Sequence, residues 1–207
     1  GTSDITFAKI EDKDYQNREV VNIDGKRYVI TDSNKTIASY LKYLEESFLI
    51  EKSKRFDVKG KKYIETPSKY YFVDIGIRNS LINFRQIEKT HIMENIIYTE
   101  LRRRGFNVDV GIVEKRKIDE KGKKDYRQLE VDFVANKGSD KYYIQSAYSI
   151  EDNNKKEQEL QSLLNISDNF KKMVIVYDSF IKWQDDNGII YISIYDFLLN
   201  ENSLKEA

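Results

Sequence analysis

Apolar and polar residues follow two different periods along this chain, and together they predict an α/β protein. The stretch VVNIDGKRYVI alternates on both sides of Asp24-Gly25, which predicts a β-hairpin. Apolar residues then recur at helical spacing from Ile37 to Phe48, with Ser33 or Asn34 as the N-cap. This part of the chain therefore predicts a hairpin followed by a helix.

Two β-like runs follow that helix, around the basic turn Lys59-Gly60-Lys61-Lys62, and Pro67 is expected to end the second run. Helix, strand, basic turn and strand is the order of the last helix and wing of a winged helix. An ordinary helix–hairpin has the same order, and both interpretations stay open at this point. Lysines at such a turn can contact phosphates, so Lys59, Lys61 and Lys62 are the candidate nucleic-acid-binding residues. Residues 1–32 are polar and receive no role.

The second half of the chain changes from helical to strand periodicity at Gly105. The stretch IEKTHIMENIIYTELRRRGF predicts a helix with a broad apolar face that stops at Gly105. NVDVGIVEKRK is then a strand, and residues 127–135 and 141–148 are predicted to pair as an antiparallel hairpin. A polar helix at 151–164, the apolar strand KKMVIVYD and a last strand running into a short helix complete an α/β/α layer pattern.

The amino-acid composition excludes several kinds of functional site. The chain has 35 basic and 35 acidic residues, so its net charge gives no sign of a polyanion partner. It has no cysteine, which excludes disulfides and thiolate metal sites and favours a cytoplasmic location. His91 is the only histidine, so zinc sites with several histidines are excluded; we interpret His91 as a helix-start residue without a special role.

Further function classes are excluded by missing patterns. No apolar run approaches the ~18 residues that a membrane helix needs, so we expect no membrane partner. No phosphate-binding loop of the P-loop type is present, and the chain alone is not expected to hydrolyse ATP. Because the chain begins at Gly1 rather than Met, we expect residues to precede it in the natural protein.

The candidate chemistry lies in Glu94, Glu130, Asp132 and Gln145. Side chains alternate faces on a strand, so Glu130 and Asp132 are expected to share a face opposite Val131 and Phe133. If the predicted hairpin forms, Asp132 and Gln145 lie side by side, and Glu94 can approach them from the preceding helix. Converging carboxylates hold Mg²⁺, which can activate water against a phosphodiester. Glu94 and Asp132 are therefore the candidate metal ligands, with Mg²⁺ as the possible cofactor.

Four ordered blocks resemble the C-terminal region of bacterial and archaeal AAA-type ATPases, a region described in that family as a domain of unknown function. The blocks are SNKTIASYLKYLEESFLI, SKYYFVDIGIRNSLINF, HIMENIIYTELRRRGFNVDVGIVE and LEVDFVANKGSDKYYIQSAYSI. The resemblance covers roughly residues 33–203. It implies an ATPase module that precedes a winged-helix-like part (residues 1–85) and a PD-(D/E)xK nuclease-like α/β/α domain with a central mixed sheet (residues 86–207).

The resemblance also implies that the nuclease signature is broken. Glu94 matches the helix glutamate of the family pattern and Asp132 matches its central aspartate. Gln145 stands at the position of the strand acid, and Ala147 stands at that of the catalytic lysine. Lys141 or Lys137 is a candidate substitute for that lysine.

From these matches we expect a non-catalytic DNA-binding or protein-interaction module of an AAA-type ATPase. Glu94, Glu130, Asp132 and Gln145 would then be the remnant of a nuclease site. The alternatives are a Mg²⁺-dependent nuclease with a migrated lysine and a domain that binds only proteins.

Overall fold

The computed structural model describes residues 19–23, 26–30, 35–85, 87–118, 124–149, 160–178 and 180–206. The strands are β1 (Glu19–Ile23), β2 (Lys26–Ile30), β3 (Ile50–Asp57), β4 (Lys62–Phe72), β5 (Asn107–Ile118), β6 (Lys124–Lys137), β7 (Asp140–Ala147), β8 (Lys171–Val176), β9 (Trp183–Gln184) and β10 (Ile189–Ser193). The helices are α1 (Lys35–Glu46), α2 (Ile75–Leu81), α3 (Lys89–Arg103), α4 (residues 160–164) and α5 (Ile194–Leu199).

The described strands form one mixed sheet in the order β2-β1-β4-β3-β5-β6-β7-β8-β10-β9. β5, β6 and β7 are an antiparallel meander. β8 pairs in parallel with β7 after a connection that contains α4, and β10 pairs in parallel with β8. The expected α/β fold with a central mixed sheet is therefore confirmed.

The N-terminal hairpins belong to this same sheet. β1 and β2 pair antiparallel as predicted, while their turn at residues 24–25 lies outside the described residues, as do the proposed caps Ser33 and Asn34. α1, β3 and β4 follow in the predicted order, and β3 pairs in parallel with β5. The sheet is thus continuous across the predicted boundary at residues 85/86. The winged-helix and nuclease-like identities stay predictions.

Pro67 does not end β4, which continues to Phe72. The pairing of β3 with β4 shifts register between Ser53 and Arg55, where Ser53 lies opposite Lys69 and Arg55 opposite Ile64. Pro67 falls inside this irregular stretch. A proline lacks the N–H that a regular ladder needs, and a strand tolerates it where the ladder is interrupted.

Helix α3 carries the site and packs on one face of the sheet. Met93, Ile97 and Leu101 recur every four residues and are almost fully buried there, together with Phe133 and Ile144 of the strands. The predicted stop is confirmed: Gly105 has a φ of +81°, and the Phe106 N–H donates to the Leu101 carbonyl at 3.1 Å.

The predicted hairpin of residues 127–135 and 141–148 is present as β6 and β7, with Phe133 opposite Ile144. The expected alternation along β6, however, is interrupted. Val131 packs in the core cluster on the α4 face, whereas Phe133 packs in the cluster on the α3 face. Val131 and Phe133 therefore do not share a face.

A β-bulge explains this difference. Val134 lies opposite Asp109 and Val131 opposite Gly111, so Asp132 and Phe133 both lie opposite the single residue between them on β5. A Cβ at Gly111 would lie 2.8 Å from Val134 Cγ2 and 2.9 Å from Val131 Cβ, so only glycine fits beneath these two valines. The bulge turns Asp132 toward the α3 face of the sheet.

Candidate functional site

Lys69 of β4 lies among three carboxylates. Its Nζ is 2.9 Å from Glu94 Oε1, 2.7 Å from Glu130 Oε1 and 3.8 Å from Asp132 Oδ1. The Lys69 side chain is only 13% exposed. We call Lys69, Glu94, Glu130 and Asp132 the Lys69 cluster. It joins β4, α3 and β6, and so the structure brings together three of the four residues singled out in the sequence.

Two further side chains complete the environment of the Lys69 cluster. Arg55 Nη2 of β3 lies 2.9 Å from Glu130 Oε2, and the Tyr71 hydroxyl donates to Glu94 Oε1 at 2.7 Å. The ring of Tyr71 stacks on that of Tyr98 with 4.0 Å between centroids. Glu94 and Glu130 are thus each held by at least two partners.

Asp132 and Gln145 lie side by side, but their functional groups do not meet in the Lys69 cluster. Asp132 Oδ2 accepts a hydrogen bond from the Ser146 N–H at 2.9 Å. Gln145 Oε1 accepts weakly from the Asp132 N–H at 3.4 Å and lies 3.5 Å from Ser162 Oγ of α4. Gln145 is buried and points toward α4, on the other face of the sheet.

Burial and charge set the protonation of the Lys69 cluster. Burial raises the pKa of the Asp132 carboxyl to about 8, Glu94 adds to this rise, and Lys69 opposes it. Burial disfavours the charged form of Lys69, but Glu94, Asp132 and Glu130 outweigh it and raise the Lys69 pKa. The 3.8 Å contact of Lys69 with Asp132 suggests an ion pair, whereas the raised pKa indicates a neutral Asp132 at pH 7. We favour the neutral form, because Glu94 and Glu130 already balance Lys69 and Arg55.

No group of three or more His, Cys, Asp or Glu side chains among the described residues is arranged to hold a metal ion. The physical reason lies in Lys69, whose ammonium occupies the space between the carboxylates. Mg²⁺ needs oxygen ligands at about 2.1 Å with most of its octahedron filled. A second cation there would meet the fixed charge of Lys69, so the expected ligands Glu94 and Asp132 do not form a metal site in this arrangement.

A cavity of about 440 Å³ opens beside the Lys69 cluster. Leu41 and Leu44 of α1 and Ile75 of α2 form its apolar wall, while Lys69, Glu94 and Glu130 lie at its polar end. The cavity gives the Lys69 cluster access to solvent from the α1–α2 side.

Asn95 fixes α3 against β4 next to this cavity. Its Oδ1 accepts from the Phe72 N–H at 2.9 Å, and its Nδ2 donates to the Phe72 carbonyl at 2.7 Å. The buried amide thus makes the two backbone hydrogen bonds that a neighbouring strand would make to Phe72. Because Glu94 directly precedes Asn95 in α3, these bonds also fix the position of Glu94 relative to β4.

The other residues considered as substitutes or sites lie elsewhere. Lys137 Nζ donates to the Arg104 carbonyl, and Lys141 Nζ lies between aromatic rings. Ala147 is buried in the core cluster on the α4 face. His91 lines the cavity at the start of α3, with Nδ1 2.7 Å from Glu88 Oε2 but without hydrogen-bond geometry.

The basic turn is exposed at the tip of the β3–β4 hairpin. Asp57 Oδ1 accepts from the Lys59 and Gly60 N–H groups and so closes the turn. Lys59 Nζ donates to the Glu114 carbonyl of β5, whereas the structure records no such side-chain contact for Lys61 or Lys62. Three lysines are therefore exposed within four residues at the tip of this hairpin.

Lys69 was not among the candidate site residues predicted from the sequence. It lies 25 residues before Glu94 and 61 before Glu130, on a strand predicted as part of a wing. The one available signal was strand position: Lys69 and Tyr71 are two residues apart on β4 and so share a face. Both side chains reach Glu94.

Comparisons with known proteins give the chain relatives but no activity. Residues 17–88 match a family described as a domain of unknown function, DUF8612. A protein of Haemophilus influenzae named only as uncharacterized is 38% identical over 170 residues, covering 82% of this chain and 38% of that protein. Uncharacterized protein MJ1544 of Methanocaldococcus jannaschii is 34% identical over 126 residues, covering 61% of this chain and 25% of that protein.

The chain therefore spans less than half the length of either relative. No solved structure matches it. These matches connect the chain neither to an AAA-type ATPase nor to a nuclease. No helix among the described residues is long and apolar enough to cross a membrane.

Proposed function

We propose that this chain is a non-catalytic, DNA-binding module of a longer protein, with an AAA-type ATPase module as the proposed remainder. The observation that carries the non-catalytic part is the position of Lys69, whose Nζ lies within 4 Å of Glu94, Glu130 and Asp132. The carboxylates of a nuclease-like site are thereby neutralised by the chain itself. The site then stabilises the fold instead of holding a metal.

The chemistry of phosphodiester cleavage supports this assignment. A metal ion has to generate the nucleophile, and a cation has to stabilise charge in the transition state. Glu94 and Glu130 are engaged by Lys69, Arg55 and Tyr71, which leaves few free oxygens for a metal. Gln145 points toward α4 and cannot add a ligand on the α3 face.

The basic turn supports the DNA-binding part. Lys59, Lys61 and Lys62 are exposed on a hairpin that the main sheet holds through the pairing of β3 with β5. Exposed lysines can contact phosphates, and such contacts carry no base specificity. A domain that binds only proteins is the remaining alternative, and the absence of duplex binding would favour it.

One specific observation favours a nuclease as the second candidate. Lys69 is a cation beside Asp132, as expected if a lysine from another strand replaced the missing one at Ala147. In that case a metal would bind only after Lys69 moved away from Glu94 and Glu130. The same assay tests both candidates.

The cleavage assay uses supercoiled and single-stranded DNA with Mg²⁺ or Mn²⁺. We expect no cleavage by the unaltered chain and no gain in the Lys69→Met variant. Asp132→Asn is the matched control, because it retains the acceptor for the Ser146 N–H but removes the carboxylate. Cleavage that disappears in both variants would establish the nuclease and reject the non-catalytic assignment.

Duplex binding is measured by fluorescence anisotropy at several salt concentrations. Replacing Lys59, Lys61 and Lys62 by alanine should weaken binding and reduce the salt slope by about 2–3. A control variant replaces the exposed residues Lys42, Arg85 and Lys89 by alanine and loses the same net charge elsewhere. Equal effects of the two triple variants would show that the basic turn is not the binding surface.

A further inference from the structure

A second basic surface lies at the far edge of the sheet. A cleft of about 550 Å³ opens there between the start of β8, the β9–β10 hairpin and the segment that precedes β8. Lys171, Lys172, Lys182 and Trp183 line it. We call it the lysine–tryptophan cleft. It lies far along the strand order from the Lys69 cluster and shares no residue with it.

Trp183 offers a flat aromatic surface in this cleft. Its ring stacks on that of Tyr191 with 4.1 Å between centroids and 2° between planes, and the residue remains 38% exposed. Tyr191 is fully buried and its hydroxyl donates to Asp185 Oδ2. The buried tyrosine therefore fixes the orientation of the tryptophan, so that the outer ring face is preorganised for stacking.

The charge of the cleft is positive. Three lysines line it against Asp168, which accepts a short hydrogen bond from the Tyr143 hydroxyl at 2.5 Å. Lys171, Lys172 and Lys182 each donate to one backbone carbonyl, those of Lys205, Ile166 and Glu206. An ammonium has three N–H donors, so Lys172 and Lys182 can each keep the bond to that carbonyl and still donate to an anion.

The lysine–tryptophan cleft is linked to the basic turn through Lys141. Lys141 Nζ lies 5.3 Å from the centroids of both the Phe56 ring, next to the turn, and the Phe170 ring, which lines the cleft. Burial lowers the pKa of Lys141, Asp168 opposes this effect, and the charge of Lys61 adds to it. Lys141 thus lies between the lysines of the basic turn and those of the lysine–tryptophan cleft.

We infer that the lysine–tryptophan cleft binds single-stranded nucleic acid, with one base stacked on Trp183 and neighbouring phosphates held by Lys171, Lys172 and Lys182. This inference rests on the proposed nucleic-acid-binding function. An exposed aromatic ring next to cations recognises an unstacked base and its backbone with little sequence preference. A duplex keeps its bases stacked on each other, so it can reach the lysines but not the Trp183 ring.

Trp183 is the only tryptophan of the chain, so its fluorescence reports directly on the cleft. A titration with an oligothymidylate of about 12 nucleotides should quench this fluorescence to saturation at low salt. Thymidine monophosphate should bind far more weakly, because it lacks the neighbouring phosphates. The absence of quenching by the oligonucleotide, or equally tight binding of the mononucleotide, would overturn the inference.

Variants separate stacking from charge, with affinity measured by anisotropy of a labelled oligonucleotide. Trp183→Leu should lower the affinity about 5- to 150-fold, whereas Trp183→Phe, which keeps a ring, should lower it less. Tyr40→Leu is the control, since Tyr40 is exposed on α1. Lys171→Gln combined with Lys182→Gln should reduce both affinity and salt slope, and it leaves the Trp183–Tyr191 stack in place.

The two proposals fail in different ways. If Trp183→Leu binds single strands like the unaltered chain while the triple lysine variant of the turn loses duplex binding, the cleft inference is wrong and the proposed function stands. If neither duplex nor single strand binds the unaltered chain, both are wrong. Loss of single-strand binding in Trp183→Leu, with duplex binding retained, supports both.

Discussion

Replacing Lys69 by methionine tests the interpretation of the Lys69 cluster most directly. Methionine keeps the apolar stem and removes the ammonium, so Glu94 and Glu130 lose contacts of 2.9 and 2.7 Å. At an effective dielectric constant of about 20, each such attraction amounts to roughly 6 kcal/mol. The measured effect should be smaller, because the carboxylates can take up protons and desolvation of Lys69 is relieved. Breaking a mostly buried ion pair in this way typically costs about 3–5 kcal/mol, which is the expected loss in the free energy of unfolding.

Urea unfolding at neutral pH measures this loss. Lys42→Met is the matched control, because Lys42 forms an ion pair with Glu46 on α1 at 3.6 Å and its side chain is 71% exposed. That exposed pair should contribute less than about 0.5 kcal/mol. Millimolar Mg²⁺ should restore part of the stability of Lys69→Met, since the carboxylates are then free to bind a cation, and it should not affect Lys42→Met. A loss below about 1 kcal/mol in Lys69→Met would refute the argument that Lys69 neutralises the cluster.

Three further predictions concern the surroundings of the Lys69 cluster. Gly111→Ala should cost about 1–3 kcal/mol in urea unfolding, because its Cβ would overlap Val131 and Val134; an unchanged midpoint would show that the bulge can relax. Asn95→Ala should cost about 2–4 kcal/mol, since it leaves both polar groups of Phe72 without their partner; a loss below about 1 kcal/mol would mean that water replaces the amide. Asp132 has a folded pKa of about 8, above its unfolded value, so the folded state binds the extra proton and stability should fall as pH rises from about 5 to 8. Asp132→Asn should abolish this fall, which is expected to be about 2–4 kcal/mol; the same pH profile in both proteins would contradict the raised pKa.

The sequence predicted correctly those elements that are determined by residues close together in the chain. The β6–β7 hairpin and the end of α3 at Gly105 follow from strand alternation and from a glycine stop, and both are present. The strand passing through Pro67 was not predicted, because the register shift that tolerates proline depends on pairing with β3.

The candidate site was predicted only in part for the same reason. Glu94, Glu130 and Asp132 were identified from carboxylate spacing and resemblance. The bulge at Asp132 depends on the absence of a side chain at Gly111 on the neighbouring strand. Lys69 depends on tertiary contacts over 25 to 63 residues, and charge patterning along the chain does not encode such distances.

Lys69 and its carboxylate partners come from different halves of the chain, and this determines how the chain would behave if it were divided into two fragments. The ammonium comes from the segment before residue 85, whereas all three carboxylates come from the segment after it. A C-terminal fragment on its own would keep buried acids without a counter-ion and would expose the β5 edge that β3 covers. The two fragments should therefore reassociate when mixed, as in a split-protein reporter, and Lys69→Met should weaken their reassembly.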